Sequence, residues 1–245
     1  MSALQTARSL LTSGVATVIR DCGASERGQL STLAVARQLD LLKETIATEA
    51  MEMPGTNVAK GSYTTVWRQF EDQAIAALEN ILPRHIPELT ATNFDRGKSS
   101  REKNRLADLA VVCGTNIIET SIKAALALAN PENDLRTFRD HPNRKKLFVG
   151  SFTLWVRYED SQGQIKCDRG FFDRTWRFVG KLSLVDGVKY RKKDGNMRPK
   201  PWTTFDSGGS FWKSETNFEA AVERAELYRA NDLIKEYLDD LSDSD

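Results

Sequence analysis

The chain has 245 residues, 40% hydrophobic and 28% charged, with a formal net charge of +1. This is the composition of a soluble globular protein with enough apolar material for a sizeable core. No apolar run approaches the ~18–20 residues that span a bilayer, and the opening residues lack the basic-then-apolar layout of a secretory leader. No membrane partner is therefore expected.

The first half reads helical. Leu4 to Arg20 and Gln29 to Met51 carry apolar residues near the 3.6 period, with Ser25 or Ser31 as a start for the second helix. Met53 to Thr56 breaks the pattern. Tyr63 to Leu82 is the clearest helix, with Val66, Phe70, Ala74, Ala77, Leu78 and Ile81 in one stripe and Pro83 and Pro87 ending it. Thr90 to Arg105 is polar and reads as a loop or short helix.

The second half changes character. Asp108 to Cys113 is an apolar run, Gly114 to Asn116 can turn, and Asn116 to Ala124 alternates. These are two adjacent strands, followed by an alanine-rich stretch to Asn130 that fits a strand end or a helix. Pro131 to Asn143 is a polar connection with room for a short helix around Asp134 to Arg139. Lys146 to Glu159 reads as a strand bulged at Gly150, and Ile165 to Leu184 holds another. Tyr190 to Trp202 is a basic loop, and Glu215 to Leu241 a final amphipathic helix. Phe171, Phe172, Trp176, Phe178, Phe211 and Trp212 are read as core.

Cys22, Cys113 and Cys167 show no C-x-x-C spacing. Their odd, sparse count argues for a reducing, cytoplasmic setting and against a disulfide framework or zinc site. Two histidines, His85 and His141, leave little room for His-based catalysis. No G-x-x-x-x-G-K-[ST] loop is present, which argues against nucleotide hydrolysis.

Charge is unevenly distributed. Residues 136–213 hold 18 Lys and Arg against 8 Asp and Glu. That segment carries +10 and the remainder −9, giving the overall +1. A basic surface interleaved with aromatics on an otherwise acidic protein points to a polyanionic partner.

Alternation in a strand places Glu119, Ser121 and Lys123 on one face and Ile118, Thr120 and Ile122 on the other. A carboxylate, a hydroxyl and an ammonium close to Asp108 suit divalent-metal hydrolysis of a phosphodiester. Mg²⁺ keeps several waters and needs only one or two protein carboxylates plus a phosphate oxygen. Asp108 and Glu119 are the best carboxylate pair for the metal; Lys123 supplies the cation, and Ser121 can bind a metal-held water.

The same stretch resembles the PD-(D/E)xK nuclease core, the fold of most type II restriction endonucleases. In that family an Asp opens one strand and an acidic-x-Lys triplet lies on the next. Here Asp108 stands as the first acid, with Ala107 where proline is usual. The triplet is either Glu119-Thr-Ser121 or Ser121-Ile-Lys123. In the second frame the missing acid comes from Glu119, Glu132 or Asp134. The family's helical glutamate has a counterpart in Phe70-Glu71, which places Glu71 as an assisting residue. The resemblance covers roughly residues 60 to 160.

It implies an α/β fold with a restriction-endonuclease-like core, a central mixed β-sheet flanked by helices, and an N-terminal helical region. One domain is expected, with a helical region 1–55, a nuclease core 56–160, and a basic strand and loop region with a C-terminal helix at 161–245. The implied function is Mg²⁺-dependent, sequence-specific cleavage of double-stranded DNA by a homodimer. Arg136, Arg139, Arg144 and Lys145 could line the DNA cleft. Lys189, Arg191, Lys192, Lys193, Arg198 and Lys200 suit phosphate contacts, and Arg174, Arg177 and Asn196 could read base edges. The alternative is a nucleic-acid-binding or nucleoprotein module without catalysis, which needs no convergence of Asp108, Glu119 and Lys123. A structural or partner-binding protein leaves the basic excess unexplained.

Overall fold

The computed structural model describes residues 26–52, 57–59, 63–87, 89–93, 108–113, 116–135, 151–161 and 164–242. The chain divides into two units, residues 1–130 with 146–175 and residues 131–145 with 176–245. The expected first helix, Leu4 to Arg20, lies outside the described residues.

The first unit contains helices α1 (Glu26–Glu52) and α2 (Tyr63–His85). Its strands are β1 (Asn57–Ala59), β2 (Thr90–Asn93), β3 (Leu109–Cys113), β4 (Asn116–Leu126), β5 (Phe152–Ser161) and β6 (Gln164–Arg174). They form one mixed sheet in the order β1-β6-β5-β4-β3-β2. Only β4 and β5 run parallel; the other neighbours are antiparallel.

Alternation decides what each strand buries. Leu109 and Val111, Ile118 and Ile122, Phe152, Leu154 and Val156, and Phe172 share a core with α1 and α2. Leu39, Ile46 and Ala50 of α1 and Leu78, Ile81 and Leu82 of α2 fill its other side. Each large aliphatic or aromatic side chain buried here contributes about 1.5–3 kcal/mol. Gly170 of β6 lets α1 come close, since a Cβ there would lie 2.8 Å from the Ala47 carbonyl oxygen and 2.9 Å from Met51 Cγ. Two polar clips fix the same contact: Arg174 donates from Nε and Nη2 to Asp40, and Lys43 donates to Asp173 at 2.8 Å.

Several boundaries differ from the sequence expectation. Helix α2 continues through Pro83 to His85, because Ile81, Leu82 and Ile86 are all buried and hold that last turn against the core. Thr90–Asn93 is a strand paired with β3, not a loop. The alanine-rich stretch stays in β4 to Leu126, where Leu126 pairs with Tyr158. The bulge expected at Gly150 lies outside the described residues. The β5–β6 register shift falls after Arg157, leaving Asp168 as the extra residue on β6. Strand β6 runs to Arg174, with Phe172 paired to Leu154 and Arg174 to Phe152 in the β5–β6 ladder.

The second unit is built on aromatics. Phe178 stacks on Phe205 at 5.0 Å, Trp202 meets Phe205 edge-on at 4.7 Å, and Trp176 and Trp212 flank Phe218 at 6.1 and 6.0 Å. The Trp212 indole N–H donates to the Val179 carbonyl at 3.0 Å, so its polar end is satisfied. A short hairpin, β7 (Lys181–Leu182) with β8 (Gly187–Val188), precedes the turn-forming segment Lys189–Arg198. Gly195 takes φ +74° in that turn, a conformation favouring glycine. Helices α3 (Trp202–Asp206) and α4 (Glu215–Ser242) complete the unit. Ser214 caps α4 by accepting the Asn217 N–H on its hydroxyl at 3.1 Å. Phe172, Trp176, Phe178 and Trp212 are buried as expected, whereas Phe211 is exposed.

Among the described residues no helix is long and apolar enough to cross a membrane.

Candidate functional site

Asp108 sits immediately before β3. The register that pairs Leu109 with Thr120 brings it level with Ser121 on β4. Its own N–H donates to the Thr120 carbonyl at 3.3 Å. Its carboxylate Oδ2 accepts the Ile122 N–H at 2.6 Å. Leu109 is the first described residue of β3, and the Asp108 carboxylate supplies the acceptor for the Ile122 amide beyond it. Lys123 Nζ lies 3.9 Å from the same Oδ2, with both side chains partly exposed. Ser121 is half-buried and in register with Thr153 of β5.

The buried positions of Ile118, Thr120 and Ile122 fit the expected division of β4 into two faces. Glu119 lies opposite Ala110 in the β3–β4 ladder, and Glu71 lies on α2; their side chains fall outside the described ones. Among the described residues no group of three or more His, Cys, Asp and Glu is placed to hold a metal.

Beyond this point the sheet carries residues that sequence reasoning did not single out. Lys123 is in register with Trp155, and Trp155 with Phe171. In the next row Arg157 is opposite Arg169. Both guanidiniums lie over the Phe171 ring, at 5.7 and 4.9 Å from its centroid. Arg157 also pairs with Asp168. The available signal was parity: Trp155 and Arg157 alternate with the core residues Leu154 and Val156. The reading of Phe171 as core is thereby corrected; it is only half-buried and supports two cations.

The basic residues fare unevenly. Arg136, Arg139, Arg144 and Lys145 lie outside the described residues. Arg174 is held by Asp40 and lies over Phe152, and Arg177 lies over Trp176. In the second unit Arg191 donates to Asp194 and, at 2.7 Å, to Asp134. Asn196 donates to the same two carboxylates at 2.9 and 3.1 Å. Arg198 pairs with Asp134 at 3.1 Å and donates to the Glu132 carbonyl. Lys192 pairs with Asp232 and Glu236. Hydrogen bonding to Arg191 holds the Asp194 carboxyl down to about 2, and bonding to Glu236 and Asp232 raises the Lys192 ammonium.

These contacts correct two expectations. Asp134, a candidate to complete the metal ligands, is engaged by two guanidiniums and an amide within the second unit. Lys200 is buried, donates to the Gly209 carbonyl and lies over Phe178 and Phe205, so it is not a surface phosphate contact. Lys189 and Lys193 are exposed and make no ion pair among the described residues.

No protein-family model matches the chain, and no curated protein matches it.

Proposed function

We propose that this chain is a Mg²⁺-dependent endonuclease of the restriction type, cleaving double-stranded DNA at specific sequences on a PD-(D/E)xK-like core. The observation that carries the reading is the meeting of Asp108 with Lys123 beside Ser121, at the start of the described part of β3. A mixed sheet with an Asp before one strand and the Lys on its neighbour supports it.

The donor set fits a weakly chelated hard cation. Asp108 Oδ1 accepts no hydrogen bond among the described residues, and its carboxylate is partly exposed. With Glu119, it would hold Mg²⁺, which tolerates few protein ligands. Bound there, the ion would stabilise charge developing on the phosphodiester oxygens. Lys123 then balances negative charge and orients the attacking water, Ser121 holds a water by its hydroxyl, and Glu71 assists. Arg157 and Arg169 on the sheet of the first unit, and Lys189 and Lys193 in the turn segment of the second, supply phosphate contacts.

Incubation of the full chain with mixed-sequence plasmid DNA, with Mg²⁺ or with EDTA, tests this. Discrete bands only with Mg²⁺ support a sequence-specific endonuclease, and a Mg²⁺-dependent smear keeps the nuclease without the specificity. Intact DNA under several divalent metals refutes cleavage.

One observation favours a second reading. Asp108 Oδ2 already serves as a strand cap, a role needing no chemistry. A non-catalytic nucleic-acid-binding protein would retain that cap and show a salt-sensitive gel shift on uncut DNA.

A further inference from the structure

Arg229 of α4 is only 6% exposed, and no carboxylate pairs with it among the described residues. Its guanidinium instead donates from Nε to the Lys192 carbonyl at 2.9 Å and from Nη2 to the Lys193 carbonyl at 3.5 Å. A buried charge is costly to desolvate, and its usual partner is a carboxylate. A neutral amide would bond one of these carbonyls at lower desolvation cost. A guanidinium adds a rigid fork that reaches two successive carbonyls, and a positive charge that stays beneath them. Those two carbonyls belong to the peptide groups on either side of Lys193, so Arg229 fixes the direction in which that side chain leaves the backbone.

The rest of the turn is fixed as well. Tyr190 bridges to Met197, and the Arg191 N–H donates to the Asn196 carbonyl at 2.8 Å. Asp134 and Asp194 take up Arg191, Asn196 and Arg198, and Asp232 and Glu236 of α4 take up Lys192. Lys189 and Lys193 are exposed, and no carboxylate pairs with either among the described residues. A turn ordered before it meets its ligand avoids the entropy cost of ordering on binding. Ammonium groups presented this way suit phosphodiester oxygens, which they meet as point charges.

We propose that Arg229 is a positioning residue for DNA backbone phosphates, holding through the Lys192 and Lys193 carbonyls the turn from which Lys193 meets them. The inference rests on the DNA-binding part of the function proposed above and not on cleavage.

Fluorescence anisotropy of a labelled duplex with the full chain in EDTA, at several salt concentrations, tests it. Arg229→Gln should lower the slope of log affinity against log salt by about 1, the share of one phosphate contact. Lys193→Ala should do the same, and the double variant should lose no more than either alone, because both remove one contact. A residue that only stabilised the fold would lower the melting temperature and leave the slope as in wild type. An unchanged slope in folded Arg229→Gln, or losses that add in the double variant, overturns the proposal while the DNA reading stands. A wild type that binds no duplex overturns both. If Arg229→Gln loses its circular dichroism spectrum, Arg229→Lys decides: one ammonium cannot span both carbonyls, so the slope should still fall, and a wild-type slope overturns the proposal.

Discussion

Asp108 accepts the Ile122 N–H on Oδ2 at 2.6 Å, while Lys123 Nζ stands 3.9 Å from the same oxygen. One carboxylate oxygen thus serves the backbone and a cation together. The proposed chemical role of Asp108 falls on the residue that also serves the backbone, so its substitutions must be judged by two measurements.

Asp108→Ala should remove both. Leaving the Ile122 amide without its acceptor costs about 1–3 kcal/mol, read as a lower urea midpoint. Asp108→Asn retains an oxygen acceptor and should recover most of that stability. Neither variant should cleave DNA if the carboxylate binds the metal. Full cleavage by a folded Asp108→Asn would remove Asp108 from the chemistry.

Lys123→Met keeps the length of the side chain and removes its charge. Cleavage should fall by about 100-fold or more, with DNA affinity measured in EDTA changed far less. An equal loss in both would make Lys123 a binding residue only.

Gly170→Val places side-chain carbon against the Ala47 carbonyl and Met51. Forcing α1 away from β6 should cost about 1–3 kcal/mol, seen as a lower melting temperature. An unchanged melting temperature would mean that α1 can shift outward freely.

Cationic residues of the second unit should separate by partner. Lys189→Ala and Lys193→Ala should weaken DNA binding and lower the slope of log affinity against log salt by about 1 each. Arg191→Ala should act on stability rather than on DNA affinity, and only slightly, because its ion pairs are more than a third exposed. Gel shifts at several salt concentrations distinguish the two classes.

Burial pushes the Cys167 thiol up to about 12 from its ordinary 9.0. It should therefore stay protonated at pH 8 and alkylate slowly until the protein unfolds, as peptide mapping would show. The raised value also gives a sign. An unfolded chain loses this proton near 9 while the folded chain keeps it, so the Cys167 contribution to stability is full below pH 9. It declines as pH rises from 9 toward 12. Cys167→Ala should flatten that decline.

The local elements were legible in the pattern of residues. Apolar periodicity identified α1, α2 and α4 and the alternation in β4, and aromatic spacing identified Phe172, Trp176, Phe178 and Trp212 as buried. These signals are local, because which face is buried repeats every two or 3.6 residues. Tertiary structure alone decided the rest. Strand order, the pairing of β1 with β6 and the break after Thr175 depend on contacts far apart in sequence, whose register no single segment encodes. The fate of the cations was hidden for the same reason. Arg174 meets Asp40 across 134 positions, and Arg191 meets Asp134 across 57. A run of Lys and Arg thus reads as a free basic surface until distant carboxylates return to it. At the candidate site, the sequence placed a carboxylate, a hydroxyl and an ammonium on neighbouring strands. Only the β3–β4 register brought Asp108 to both Lys123 and the Ile122 amide.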